Sequence, residues 1–262
     1  MEPLHAVFIL LGGLWAGTIN SVVGSGTLVT FPILIALGYA PVMATISNAM
    51  GLIAGGVSGV WGYRRELVGM RANLVRLLPA SVLGGITGAW LLLHLPEKVF
   101  GQVAPVLIVL ALLMVVLQPR LQRALKARAA ANDGVPHPSH NIVMVLLVFL
   151  AGVYGGYFVA AQGILLVGIL GIFMSGTLQN ANAVKNVLSL AVNCVAAVSY
   201  LLFAGDKIIW AVVGLIAVSS LVGGVVGSKI GRRLSPVVLR TVIVLLGLVA
   251  LYFMVAKLVA AA

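Results

Sequence analysis

The chain carries one glycine-interrupted apolar pattern twice. Gly13-Leu14-Trp15-Ala16-Gly17 leads through Asn20 and Ser21 to Gly24, and Gly152-Val153-Tyr154-Gly155-Gly156 leads to Gly163. A shift of about 139 residues superposes Gly13 on Gly152, Gly17 on Gly156 and Gly24 on Gly163. Gly84-Gly85 and Gly88 fall on Gly223-Gly224 and Gly227 at the same shift, and Asn48 meets Asn186 after a slip of one residue. Doubled apolar halves, each broken by glycine at the same place, are the sequence signature of a transporter built from structural repeats. The breaks then point to the substrate site.

The surroundings of the pattern place it in a bilayer. Hydrophobic residues make up 62% of the 262 residues and charged residues only 8%, against about 25% charged in soluble domains. The formal net charge of +11 does not signal nucleic acid, because the cations are confined to a few loops between apolar spans, as expected for the side retained in the cytoplasm. No cleavable signal peptide is read at Met1-Glu2-Pro3, which lacks a basic stretch. Cys194 is alone, so no intrachain disulfide forms, and it packs as a small hydrophobe.

Apolar segments fall at 4–23, 27–38, 41–62, 72–93 and 99–117, then at 141–159, 162–174, 183–204, 207–227 and 238–257. The segments at 27–38 and 162–174 are too short to cross a hydrocarbon core of about 30 Å. Each follows a break and is expected to be a half-helix or the second arm of a hairpin. Residues 1–118 form repeat one, 119–140 a cytoplasmic linker and 141–262 repeat two. Arg120 to Ala131 is expected to form a short surface helix, with turns at Asn132-Asp133-Gly134 and Pro136-His137-Pro138. The linker histidines His137 and His140 are read as incidental. Five segments per repeat put Arg64, Arg65, Arg71 and Arg76, the linker cations, and Lys229, Arg232, Arg233 and Arg240 on one side. The expectation is therefore an all-α polytopic membrane protein of two inverted repeats, with both termini outside.

Polar residues at membrane depth cluster at matched places. The first break supplies Asn20, Ser21, Gly24, Ser25, Gly26 and Thr27, and the second Gln162 and Gly163. Ser25 and Thr27 can cap the helix that follows, whose free N–H groups would attract an anion. Further on lie Ser47 and Asn48 in one half and Asn182, Lys185 and Asn186 in the other, with Asn48 and Asn186 as a matched pair. Lys185 opens an apolar stretch from Val187 to Phe203, and Ser189 and Asn193 continue its polar face. These residues form the candidate substrate site. Close helix packing by glycine, hydrogen bonding between helices by asparagine, and snorkelling of Lys185 to headgroups are the structural alternatives.

The acidic residues Glu2, Glu66, Glu97, Asp133 and Asp206 all lie in loops or at span ends. Carboxylate relays at membrane depth mark many proton and cation pumps, so a small anion is the favoured substrate, moved alone or with a proton the substrate itself carries. No phosphate-binding Gly-Lys-Ser/Thr loop, no metal-ligand cluster and no Ser–His pairing is evident, which argues against an ATPase, a metal carrier and an enzyme. No cofactor or metal is expected. The expected partners are a small-molecule anion and membrane lipids, with a homodimer an allowed assembly.

At these residues the chain resembles the sulfite exporter TauE/SafE family. The likeness runs from Gly17-Thr18-Ile19-Asn20 through Gly24-Ser25-Gly26 to Pro32, and then through Gly155-Gly156-Tyr157-Phe158, Asn182-Ala183-Val184-Lys185-Asn186-Val187-Leu188 and Gly223-Gly224-Val225-Val226-Gly227. Two departures stand out: Gly24-Ser25-Gly26-Thr27 replaces a run of glycines, and Ser47-Asn48 stands where many members have Asn-Lys. The resemblance implies movement of sulfite or small organosulfur anions, such as sulfonates, across a bacterial inner membrane. The residues alone leave open another anion, such as a carboxylate, or a membrane assembly protein that transports nothing.

Overall fold

The computed structural model describes residues 2–131, 139–174, 176–230 and 236–260. The described chain is helical, in the order α1 (Pro3–Val22), α2 (Thr27–Ala36), α3 (Pro41–Gly62), α4 (Arg71–His94), α5 (Glu97–Ala131), α6 (Ser139–Tyr157), α7 (Gln162–Phe173), α8 (Leu178–Phe203), α9 (Trp210–Ile230) and α10 (Pro236–Ala260). Proline at the first position of α1 and α3 suits a helix start. Among the described residues, six helices are long and apolar enough to cross a membrane. Together with their lipid-facing rows of Leu, Val, Ile and Trp, they make this a multi-pass membrane protein.

The short segments fold back. Gly26 lies against Ala16 and Asn20, and Gly12 lies against Thr30 and Ile33, so α2 runs antiparallel along α1. Gly155 lies against Gln162 in the same way, pairing α7 with α6. At the first turn Gly24 takes φ +86°, a conformation glycine adopts without a Cβ clash. The second turn reaches the left-handed region with Val159 (φ 68°) and Ala161 (φ 60°), residues that are strained there. The two tips touch: the Gly163 N–H donates to the Gly24 carbonyl at 3.1 Å. A methyl on Gly163 would sit 2.5 Å from the Gly24 Cα.

The repeats are inverted and interlocked. Gly56 of α3 lies against Leu190 of α8, and Gly59 against Asn186, so these equivalent helices run antiparallel. Helix α1 runs parallel to α9, with Gly13 and Gly17 against Ser219, Ser220 and Gly224. Its counterpart α6 runs parallel to α4, with Gly152 and Gly156 against Gly84, Gly85 and Ala89. The α1–α9 and α4–α6 contacts are the most extensive between helices, and each joins one repeat to the other. Glycine and serine let the backbones approach, which supplies the dispersion contact that a lipid solvent cannot drive by itself.

Charge separates the two ends of the bundle. Asn180 of α8 donates to the Glu66 carbonyl, and Tyr63, Gln118 and Leu178 line one cleft. The ends of α3, α5 and α9 and the starts of α4, α8 and α10 therefore share an end that carries Arg64, Arg65, Arg71, Arg76, Arg120, Arg123, Lys229 and Arg240. Glu97, Lys98, Asp206 and Lys207 lie at the other, where Lys207 pairs with Glu97 at 2.7 Å.

Two expectations change, and others fall outside the described residues. Helix α5 runs unbroken to Ala131, so residues 120–131 extend a long helix instead of forming a separate one. The turns expected at 132–134 and 136–138 and the loop residues Arg232 and Arg233 lie outside the described residues, as do the His137 and His140 side chains. Helix α8 starts at Leu178, five residues earlier than apolarity indicates, because Thr177 and Asn180 form a capping box.

Candidate functional site

That early start moves Lys185 two turns into α8. Its side chain is only 1% exposed, and its Nζ donates to the Asn20 carbonyl at 3.0 Å. One turn earlier, Asn182 Nδ2 donates to the Ser21 carbonyl at 3.2 Å. Asn20 and Ser21 belong to the last turn of α1, whose carbonyls lack helical partners. Helix α8 of repeat two thus caps the broken end of α1 in repeat one, where the dipole attracts a cation. This accounts for the position of Lys185 but not for its charge. Among the described residues no carboxylate pairs with it, and a carbonyl leaves a buried ammonium under-compensated.

The rest of this helix face is also open. Asn186 Nδ2, Ser189 Oγ and Asn193 Oδ1 are buried without partners, as is Asn182 Oδ1. Spacings of three and four residues put all of them on the Lys185 side of α8. Asn186, Ser189 and Asn193 face a cavity of about 10 Å³ whose walls are Asn20 and Ser21 of α1, Gly55, Gly56 and Gly59 of α3, and Lys185, Asn186, Ser189, Leu190 and Asn193 of α8. This volume holds about one water, so the site is closed. A second space of about 110 Å³ opens at the basic end, among Val22, Tyr63, Gln118, Val167, Leu178, Gln179 and Asn182. Asn182 lines that cleft and Ser21 lines the inner cavity, so the bond between them separates the two.

The other sequence candidates divide into three groups. Asn48 is completely buried, donating to Thr27 Oγ1 at 3.2 Å and accepting from the Thr30 hydroxyl. It faces the first break, and both polar atoms of its amide are engaged there. Ser47 turns away and accepts the Ile209 N–H at 3.0 Å, ahead of α9. Ser25, Gly26 and Gln162 are buried at the touching tips with Gly24 and Gly163, and Ser25 Oγ and Gln162 Nε2 have no partner.

The expected caps are absent: Gly26 is the N-cap of α2 and makes no side-chain bond, and Thr27, the first residue of the helix, accepts from Asn48. The first N–H groups of α2 at Leu28 and Val29 bond to Ser25 and Gly26, and Gly163 in α7 is taken by Gly24. Open donors therefore lie both at the touching tips, on Ser25 and Gln162, and on α8, on Asn186 and Ser189, and those on α8 adjoin Lys185. Gly55, Gly56 and Gly59 escaped the sequence reading, since nothing in one sequence separates a glycine that lines a cavity from one that packs helices.

Comparison with known proteins agrees with this architecture. The chain is 28% identical to the probable membrane transporter protein YfcA of Escherichia coli K12, over 89% of this chain and 85% of that protein. A probable membrane transporter protein of Haemophilus influenzae is 24% identical over 94% of this chain and 91% of its own. The probable membrane transporter protein ORF9 of Sinorhizobium sp. is 25% identical over 92% and 88%. No solved structure matches. The family model for the sulfite exporter TauE/SafE matches residues 9–254, nearly the whole chain and both interlocked repeats, and the chain belongs to that family.

Proposed function

We propose that this chain is a membrane transporter that carries a small anion, sulfite or an organosulfur anion such as a sulfonate, across the bacterial inner membrane. The carrying observation is Lys185: a buried ammonium at a closed cavity, with a neighbouring amide donor unsatisfied and, among the described residues, no carboxylate to balance it. An oxyanion seated there would accept from Lys185, Asn186 and Ser189 and supply the missing charge. The basic end faces the cytoplasm by the distribution of Lys and Arg, and both termini then lie outside.

The interlocking supports a particular form of alternating access. Helices α1, α3 and α9 pack as one bundle and α4, α6 and α8 as the other, each drawn from both repeats. The cavity lies where these bundles meet, at α3 and α8. Motion of one bundle against the other would break the Asn182–Ser21 bond and join the cavity to the cytoplasmic cleft.

Counterflow of radiolabelled sulfite in proteoliposomes tests the reading, with sulfonates, sulfate, thiosulfate and short carboxylates as competitors. Saturable exchange competed by sulfonates is expected. Competition mainly by carboxylates would keep the anion site and change its substrate. Absence of any counterflow would overturn the carrier.

A further inference from the structure

The glycines of α3 do two different jobs. A methyl on Gly51 would meet Ile216 at 2.6 Å, and one on Gly55 would meet the Ser220 carbonyl at 2.9 Å. The Cβ direction is therefore closed by helix α9 at both positions, and their glycines serve packing even though the Gly55 backbone also borders the Lys185 cavity. Gly59 and Gly56 point elsewhere. A methyl on Gly59 would lie 3.3 Å from Ser21 Oγ and 4.0 Å from Asn186 Cγ, and one on Gly56 would lie 3.1 Å from Leu190 Cδ1. Each methyl seats with a shift of a few tenths of an ångström in a side-chain end.

Both glycines line the cavity that holds Lys185. The unpartnered Asn186 Nδ2, in a residue only 7% exposed, marks the same space as one made for a ligand. We infer that Gly59, with Gly56, sets the width of the anion site and so limits the size of anion accepted. This rests on the anion reading of the Lys185 cavity and names residues of α3 that sit opposite the charge. Sulfite needs little depth beyond its oxygens, whereas a sulfonate must also place its carbon chain against the α3 face. A methyl there removes space from the chain and reaches the oxygen donors of α8 only at Asn186, in ordinary van der Waals contact. One methyl in a fitted pocket shifts discrimination by roughly tenfold or more.

The test compares Gly59→Ala and Gly56→Ala with the lipid-side control Gly214→Ala, which meets nothing within 4 Å. Sulfite counterflow is competed by methane-, propane- and hexanesulfonate, and the melting temperature in detergent is recorded. The expected result is a shift in discrimination: at whatever rate of sulfite exchange each variant keeps, inhibition by propane- and hexanesulfonate relative to methanesulfonate is weakened roughly tenfold in Gly59→Ala and Gly56→Ala and unchanged in Gly214→Ala. Parallel loss of sulfite exchange and sulfonate inhibition would overturn the inference and make these packing glycines like Gly55. An unchanged competition series would overturn it as well.

A second arm needs no transport. Ser189→Cys, in a Cys194→Ala background, is labelled with a small and a bulky methanethiosulfonate, with and without Gly59→Ala. Selective slowing of the bulky reagent by the methyl is expected. Equal rates for both reagents, or no labelling of the cysteine at all, would refute a width set by Gly59. A wild type that exchanges no anion yet shows this selective slowing would break the transport reading and keep the geometry.

Discussion

Asn48 and Asn186 occupy matched places in the two repeats and live in opposite circumstances. Asn48 binds Thr27 and Thr30 of its own hairpin and is completely buried. Asn186 leaves its Nδ2 unpartnered at the Lys185 cavity. Repeat one has closed its polar cluster upon itself, using two hydroxyls that the corresponding arm of repeat two lacks: α7 offers Gln162, Gly163 and then only apolar residues and glycine. Symmetry in the backbone therefore does not carry over to chemistry. One half supplies a structural anchor and the other an unsatisfied face, and the proposed anion site is assembled from α8 against the glycines of α3.

The largest effect expected from this contrast is at Lys185. Replacing it with Met keeps the length of the side chain and removes the charge. Sulfite counterflow should fall by roughly a hundredfold or more, as expected when a buried charge pair to substrate is lost. The melting temperature should hold or rise, because an ammonium without a counter-charge is costly to bury. A collapse in melting temperature alongside the loss of transport would instead make Lys185 a cap for the Asn20 carbonyl and nothing more.

A middle-sized effect separates the two asparagines. Asn48→Ala strands two buried threonine hydroxyls, a loss of about 1–3 kcal/mol, so the protein should melt several degrees lower while sulfite affinity stays near wild type. Asn186→Ala removes a group with an unmet donor and should leave the melting temperature unchanged. Its sulfite affinity should drop roughly tenfold, the worth of one hydrogen bond to a charged group. Equal behaviour of the two variants in both measurements would erase the division of labour between the repeats.

Much of this was legible in the chain because glycine spacing is a backbone property. The repeat, the two short arms and the inverted order follow from Gly13, Gly17 and Gly24 and their counterparts, together with the sidedness of Arg and Lys. The early start of α8 was hidden because Leu178 to Asn182 is polar, and a capping box made by Thr177 and Asn180 outweighs apolarity there. The exchange of helices between repeats was hidden for another reason: Gly17 carries no mark that its neighbour is Gly224. The state of each asparagine depends on which hydroxyl faces it across helices, which no spacing within one helix encodes. The Ser47 side chain, chosen for its place beside Asn48, serves the start of α9 instead.

The smallest effect sharpens the comparison at the tips. Repeat one turns on Gly24, which is free to take its positive φ, and repeat two turns through Val159 and Ala161, which are not. Ala161→Gly should relieve about 1 kcal/mol of backbone strain. It also gives up one fully buried methyl, worth about 0.8 kcal/mol, and adds freedom to the unfolded chain. These contributions nearly cancel, so the melting temperature should move by no more than a few degrees and sulfite counterflow should stay near wild type. The outcome matters in its departures. A well-folded variant with much slower exchange would mean that the strained tip is part of the moving machinery, holding the Gly24–Gly163 junction in one of its states. An inert variant would mean that the second turn is only a tighter way to make the same bend, and that the asymmetry which matters lies wholly along α8.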